Sequence, residues 1–126
     1  MDKKTKNIAI GLAVAAVVVI AFFWRQNNIR PGELDDFAKC LEQKSEKFYG
    51  AFWCPHCQNQ KSAFGSSQKY LPYVECSTQD SKGQLPVCRD EEIKAYPTWK
   101  FHDGVTVQGE LSLKELSEKS GCPLPS

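Results

Sequence analysis

The chain begins with a long apolar run and continues with shorter stretches in which apolar and polar positions alternate. Residues 8–24 hold 17 positions without a charge and are preceded by three lysines. A helix over this run would span roughly 25 Å, about the thickness of a bilayer core. The run ends in bulky residues, with Trp24 last, and lacks the small residues of a signal-peptide cleavage site. The pattern therefore predicts a retained signal anchor, and a removable signal peptide is the alternative.

The charges beside this span predict its orientation. Lys3, Lys4 and Lys6 precede it, and basic flanking residues stay in the cytoplasm. We therefore expect residues 1–7 in the cytoplasm, residues 8–24 in the membrane, and the rest of the chain in the periplasm or an equivalent compartment. A polar linker over residues 25–32, with a Pro-Gly break, leads to a folded domain at residues 33–122 and a tail at 123–126.

The spacing of apolar positions after the linker predicts alternating helices and strands. We predict helices at residues 33–44, from 55 to a break near 65, at 90–95 and after 112, and strands at 47–53, 72–76, 98–102 and 105–109. Asp103 and Gly104 fit a hairpin turn, Ser112 fits a helix N-cap, and Gly121 fits a helix end. This order predicts an α/β domain with a mixed sheet whose first two strands are parallel.

Composition narrows the class of protein. Residues 25–126 carry 13 basic and 14 acidic side chains, and this near-neutral balance argues against nucleic-acid binding. Contents of 41% apolar and 11% aromatic residues exclude a disordered chain. The distinctive feature is the presence of six cysteines. Outside the cytoplasm, thiols meet an oxidising environment in which disulfides persist.

The densest chemistry lies at Trp53-Cys54-Pro55-His56-Cys57, directly after a predicted strand. Disulfide exchange needs a thiolate that attacks and a second thiol that resolves the mixed disulfide. At a helix N-terminus, free N–H groups and the helix dipole stabilise the thiolate of Cys54, and Cys57 lies one turn further on to resolve. Pro55 suits the first helical turn, and His56 offers the thiolate a hydrogen bond or a positive charge. Because a stabilised thiolate favours the reduced form, this pattern favours the donation of disulfides.

A second motif, Tyr96-Pro97-Thr98, lies 43 residues after the first cysteine of the pair. On these two motifs, the chain resembles the thioredoxin superfamily over about residues 33–121. The resemblance implies a thioredoxin fold, with a mixed central sheet flanked by helices, here preceded by one transmembrane helix. It also implies a cis peptide bond before Pro97, packed against the cysteine pair. Substrate contacts are then expected from Trp53, from the backbone of Tyr96 and from Thr98.

Within that superfamily, the segments FYGAFWCPHCQNQK, LPYVEC and AYPTW most resemble thioredoxin-like domains that accompany bacterial homologues of vitamin K epoxide reductase. This resemblance implies exported, cysteine-containing protein substrates and a quinone-linked membrane oxidase, expected on another chain, that resets the pair. A reductase or an isomerase is the alternative. Reducing thioredoxins carry a buried acid six positions before the first cysteine, where this chain has Phe48, so water or another group must move that proton. Haem, flavin and nucleotide motifs are absent from the sequence, and we expect no cofactor.

The other four cysteines allow several interpretations. Cys76 and Cys88 bracket a polar loop, and a disulfide between them would contribute roughly 3 kcal/mol as a structural bridge. A second redox pair that relays electrons is the alternative for these two. Cys40 and Cys122 lie on or after helices expected on opposite faces of the sheet, too far apart for a disulfide. A disulfide between these two cysteines is thus the alternative that this distance disfavours, and intermolecular pairing or free thiols stay open.

Two functions other than catalysis stay open. The cysteines of the first pair together with Cys76 and Cys88, and with His56 or His102, would make a zinc ligand set. Structural zinc sites usually combine two pairs of ligands, each closely spaced in the sequence. Eleven residues separate Cys76 from Cys88, which does not fit such a pair. We therefore expect no metal. The other alternative is a tethered module that recruits partners while its cysteines stay locked in disulfides.

Most aromatic residues are expected in the core, where they bury large apolar areas. The set consists of Phe48, Tyr49, Phe52, Trp53, Trp99 and Phe101. Trp53 is the exception, because its place beside Cys54 leaves it partly exposed at the surface of the site. His102, in a strand before a turn, is expected to be an exposed polar residue.

Overall fold

The computed structural model of the protein describes residues 2–27 and 32–126, which fall into two compact units, Met1–Pro31 and Gly32–Ser126. The first unit is a single helix, α1 (Lys3–Asn27). Its segment Lys3–Trp24 is long and apolar enough to cross a membrane, by length and composition, a test that signal sequences also pass. The helix continues to Asn27, into the predicted linker, whose residues 28–31 lie outside the described residues.

The second unit is built on a four-stranded mixed sheet with the strand order β2-β1-β3-β4. The strands are β1 (Lys47–Gly50), β2 (Tyr73–Glu75), β3 (Thr98–Lys100) and β4 (Thr106–Gln108). β1 runs parallel to β2 and antiparallel to β3, and β3 runs antiparallel to β4. The parallel first pair is the one that the sequence predicts. The sheet and its flanking helices form a thioredoxin-like fold, which follows an apolar N-terminal helix.

Four α-helices and a short 3-10 helix accompany the sheet in the second unit. They are α2 (Asp35–Gln43), α3 (Pro55–Ser62), the 3-10 helix Gly65–Tyr70, α4 (Pro86–Asp90) and α5 (Leu113–Ser120). The break predicted near residue 65 is present, because Gly65 adopts a left-handed conformation with φ 53°. The limits predicted for α5 are confirmed as well. Ser112 forms a capping box with Glu115, and Gly121 ends the helix with φ 73°.

The core of this unit centres on Trp99, which is fully buried in β3. Its ring stacks on Phe48 at 4.8 Å between ring centroids and lies 6.3 Å from Phe101. The prediction that Phe52 belongs to this core is wrong, because 46% of its surface is exposed. The strand predicted to reach residue 53 ends at Gly50, so Phe52 lies in the loop beyond the sheet.

The prediction of a helix at residues 90–95 is also wrong. The structure places a helix earlier, at α4, where Pro86 occupies the first turn and Leu85 precedes it in extended conformation. Proline suits a first helical turn because its φ is fixed and its missing N–H is not needed there. Glu92 then takes a positive φ of 56°, beyond the helix end.

Cys40 and Cys122 are joined in a disulfide with their Cα atoms 5.9 Å apart, so the prediction that they lie too far apart is wrong. The chain turns back after α5 at Gly121, which brings its last residues to the end of α2. The ammonium group of Lys44, just after α2, donates a hydrogen bond to the carbonyl oxygen of Ser120 at 2.9 Å. The two segments are therefore neighbours.

Candidate active site

Cys54 and Cys57 lie at the start of α3 and are both free thiols. Cys54 is the N-cap residue in extended conformation, and its Sγ accepts a hydrogen bond from the backbone N–H of Cys57 at 3.4 Å. Pro55 occupies the first helical turn, where the sequence predicts it. This geometry places the Cys54 sulfur at the N-terminus of α3, in contact with one free N–H group of the helix.

The second cysteine of the pair is enclosed by protein. Cys57 is fully buried, and burial raises the pKa of its thiol to about 12, with a further contribution from its hydrogen bond to Cys54. Gly50, at the end of β1, allows this packing. A Cβ atom at Gly50 would lie 2.8 Å from the Cys57 Sγ and 2.9 Å from a ring carbon of Tyr73. The sequence analysis missed both Gly50 and Tyr73 as parts of the site.

The Tyr96-Pro97-Thr98 motif contacts the cysteine motif at the Cys54 thiol. The peptide bond between Tyr96 and Pro97 is cis, as the sequence resemblance implies. The Cys54 thiol donates to the carbonyl oxygen of Tyr96 at 3.7 Å. Pro97 and Thr98 are buried, and the Thr98 hydroxyl donates to the carbonyl oxygen of Ala95 at 2.6 Å. The backbone of Tyr96 from the second motif and the Cys54 sulfur from the first are therefore in contact.

Trp53 and the end of β2 form one wall beside this sulfur. Half of the Trp53 surface is exposed, and its indole N–H donates to the Ser77 hydroxyl at 2.8 Å. Its ring lies edge-on to Tyr96, with 6.1 Å between ring centroids. The Glu75 carboxylate accepts hydrogen bonds from the backbone N–H groups of Phe52 and Ser77. Glu75 thus fixes the loop that carries Trp53, a role that no local pattern in the chain predicts.

Cys76 and Cys88 are joined in a disulfide with their Cα atoms 5.4 Å apart. Both residues are fully buried and pack in one cluster with Tyr49 and Ile93, against which Tyr96 is also packed. Because disulfide exchange requires access to a sulfur atom, this burial favours the structural interpretation over an electron relay. The four cysteines of the zinc hypothesis are thus divided between a free pair and a disulfide. Over residues 2–27 and 32–126, His, Cys, Asp and Glu side chains do not gather in threes as a metal site requires.

His56 does not contact the Cys54 sulfur in the way the sequence suggested. Its Nδ1 is instead 2.7 Å from a carboxylate oxygen of Glu110, which follows β4. The same oxygen accepts a hydrogen bond from Asn59 at 3.3 Å. Glu110 lies 54 residues from His56 along the chain, so only the tertiary fold identifies it as a neighbour of the motif.

The second histidine has a different partner. His102 has an exposed side-chain fraction of 47%, close to the sequence expectation, but its Nδ1 lies 2.6 Å from a carboxylate oxygen of Glu46. The other carboxylate oxygen of Glu46 accepts from the His102 backbone N–H at 2.7 Å, and Glu46 is fully buried. Glu46 precedes β1, whereas Cys54 follows it, so this pair lies at the opposite end of the strand from the cysteines.

The fold is thioredoxin-like, and a free dithiol occupies the N-terminus of a helix that follows its central strand. No protein-family model matches the chain. Over 91 residues, or 69% of this chain and 24% of the relative, the sequence is 45% identical to the thiol-disulfide oxidoreductase LTO1 of Arabidopsis thaliana. It is 33% identical over 90 residues to a thioredoxin domain-containing protein 5 homolog of Drosophila melanogaster, covering 66% of this chain and 21% of that protein.

A third relative is matched over most of its own length. The chain is 27% identical over 104 residues to protein disulfide isomerase-like 5-1 of Oryza sativa subsp. japonica, covering 76% of this chain and 71% of that protein. The chain spans only about a quarter or less of the length of the first two relatives. The chain is thus similar to a thiol-disulfide oxidoreductase, a thioredoxin domain-containing protein and a disulfide isomerase-like protein, in agreement with its thioredoxin-like fold.

Proposed function

We propose that this chain is a membrane-anchored, extracytoplasmic thiol-disulfide oxidoreductase that exchanges disulfides with exported proteins through Cys54 and Cys57. The observation that carries the proposal is the asymmetry of the pair. The Cys54 sulfur accepts a backbone N–H at the start of α3, while Cys57 is fully buried behind it. The other four cysteines are joined in disulfides, so this pair holds the free thiols of the chain.

The proposed reaction begins with the pair oxidised. A substrate thiolate attacks the Cys54 sulfur, the Cys54–Cys57 bond breaks, and Cys57 takes up a proton. A second substrate thiolate then attacks the substrate sulfur of the mixed disulfide, and Cys54 leaves as the thiolate. One substrate disulfide is formed, and two electrons pass to the pair. The reverse sequence would reduce a substrate disulfide.

The direction that we propose is oxidation of the substrate, with the pair reset by a quinone-linked membrane oxidase. The Cys54 sulfur accepts the backbone N–H of Cys57 at the start of α3, and contacts that stabilise a thiolate make the corresponding disulfide a stronger oxidant. The helix α1 supports a membrane location by its length and composition, and the three lysines at its N-terminal end support a cytoplasmic N-terminus. A redox potential of the pair near −120 mV would mark an oxidase, and one near −270 mV a reductase.

The Cys57→Ser variant tests the assignment of roles. Without its resolving thiol, the protein should accumulate mixed disulfides with exported substrates through Cys54, visible as bands that disappear on reduction. The Cys54→Ser variant, changed three positions earlier at the N-cap of the same helix, should form none while keeping its fold. Mixed disulfides through another cysteine would contradict the proposal. A protein that binds the same partners without Cys54 would be a recruiting module instead.

A further inference from the structure

The ion pair between His56 and Glu110 links the cysteine motif to a distant part of the chain. The imidazole Nδ1 and the carboxylate oxygen are 2.7 Å apart, a distance typical of a charge-assisted hydrogen bond. The hydrogen bond from His56 and then that from Asn59 hold the pKa of Glu110 below its usual value. Glu110 is therefore ionised at neutral pH and faces the imidazole as a negative charge.

The backbone beside Glu110 is held in place against α3. Gln60, which is 2% exposed, accepts from the backbone N–H of Leu111 at 2.8 Å and donates to its carbonyl oxygen at 3.0 Å. The indole N–H of Trp99 donates to the same Gln60 oxygen at 3.2 Å. Because both backbone groups of Leu111 are fixed to the helix that carries His56, the carboxylate of Glu110 is kept within reach of the imidazole.

We propose that Glu110 is a positioning residue for His56 and that, through the imidazole, it sets the pH range over which the Cys54–Cys57 pair acts as an oxidant. This inference rests on the proposed function. A carboxylate stabilises the protonated imidazole, and a positive charge near a helix N-terminus stabilises a thiolate there. By this argument, Glu110 favours the reduced form of the pair through its contact with the imidazole.

Other ionisable groups that interact with the pair or with one another beside it are Lys61, Tyr73 and Glu75. Lys61, on α3, places its ammonium group 3.5 Å from the centroid of the Tyr73 ring and favours ionisation of Cys57. The Tyr73 hydroxyl donates to Glu75 at 2.7 Å, and burial together with this bond raises the pKa of Tyr73. Tyr73 is thus neutral across the physiological range. A change over this range is therefore assigned to the imidazole and its carboxylate.

The test compares the redox equilibrium of the full-length protein with glutathione at pH 5.0 and pH 7.5. At pH 7.5, Glu110→Gln should shift the equilibrium towards the protein disulfide by about two- to fivefold, the range for an exposed ion pair. Because an ordinary imidazole is already protonated at pH 5.0 with or without a neighbouring carboxylate, the shift should vanish or reverse there. Glu118→Gln, an exposed glutamate on α5 that pairs with Lys114, is the matched control and should leave both equilibria unchanged.

The double variant His56→Ala/Glu110→Gln separates a role through the imidazole from any other role of the carboxylate. If Glu110 acts through His56, adding Glu110→Gln to His56→Ala should have no further effect at either pH. An equal shift at both pH values, or a shift that persists without His56, would overturn the inference. If the wild-type pair fails to equilibrate with glutathione, the proposed function fails as well, whereas an exchanging pair that is insensitive to Glu110 contradicts this inference alone.

Discussion

The two thiols of the pair are held by different physical means. Cys54 has polar partners, the backbone N–H of Cys57 and the carbonyl oxygen of Tyr96. Cys57 is fully buried between the end of β1 and α3, and its pKa is raised to about 12 because burial disfavours the thiolate. Exchange at Cys54 thus requires a proton to reach or leave Cys57. Phe48 occupies the position where reducing thioredoxins carry an acid, so this proton must travel by another route.

The raised pKa of Cys57 predicts a specific loss of stability at alkaline pH. From its ordinary value of 9.0 up to about 12, the unfolded chain releases this proton while the folded protein retains it. The free energy of unfolding of the reduced protein should therefore fall as pH rises through this window, by up to about 1.4 kcal/mol per pH unit. Below pH 9 the contribution is fully present. Urea unfolding at a series of pH values measures this slope.

The Cys57→Ser variant isolates the contribution of this thiol. Burial also raises the pKa of Tyr49 and Tyr73, so other groups add to the alkaline slope of both proteins. A serine has nearly the same size and does not titrate in this range, and the variant should therefore lose less stability between pH 9 and 10.5. Parallel curves for the two proteins would show that the buried thiol is not the cause.

At the scale of elements, Gln60 joins three parts of the fold. Its side-chain amide forms hydrogen bonds with both backbone groups of Leu111 and with the indole N–H of Trp99. These bonds connect α3 with β3 and with the segment before α5. The amide is buried, so these groups have no ready access to water in its place. An unpaired buried donor or acceptor costs about 1 to 3 kcal/mol.

The Gln60→Leu substitution should therefore destabilise the protein by about 2 to 4 kcal/mol, because it leaves Leu111 and Trp99 without hydrogen-bond partners. Leucine has a similar volume to glutamine, so packing changes little. Denaturant unfolding of the oxidised protein measures the change. Gln68→Leu makes the same replacement at an exposed position of the 3-10 helix and should stay within about 0.5 kcal/mol of wild type. Equal effects at the two positions would show that the loss comes from the substitution itself and not from the amide network.

Elements with strong local signals were predictable from the sequence. A run of apolar and aromatic residues predicted β1, Pro55 predicted the start of α3, and Ser112 with Gly121 predicted both ends of α5. These signals act within a few residues, because capping and proline geometry depend on neighbours in the chain. The parallel pairing of β1 with β2 followed from the intervening helix.

Features that depend on distant contacts were not predictable in this way. Glu110 approaches His56 only because β4 and the segment after it return to α3. Cys122 approaches Cys40 only because the chain reverses at Gly121. In both cases the sequence shows the residue types but not the distance between them.

At the scale of the whole second unit, the two disulfides differ in what they connect. Cys40–Cys122 links residues 82 positions apart and ties α2 to the end of the chain. Cys76–Cys88 links residues 12 positions apart, and its cluster supports Tyr96, whose carbonyl oxygen meets the Cys54 thiol. Because a longer loop loses more entropy on closure, the first disulfide should contribute more to stability and the second more to the geometry of the site.

Two variants, each with both cysteines of one disulfide replaced by serine, test this division of roles. The variant that loses more stability should keep more activity, and the other variant should do the reverse. Cys40→Ser/Cys122→Ser should lower the free energy of unfolding by about 4 kcal/mol, and Cys76→Ser/Cys88→Ser by about 3 kcal/mol, from the entropy of loop closure. The first variant should keep the redox potential of the Cys54–Cys57 pair, since its disulfide supports α2 and the C-terminal residues. The second should slow thiol oxidation severalfold, because Tyr96 loses part of its support. Unfolding by urea and the rate of oxidation of a reduced peptide, each measured on both variants at a temperature where they remain folded, give the two rankings. If both variants kept wild-type rates, or if the less stable one were also the slower, the Cys76–Cys88 disulfide would have no particular role in shaping the site.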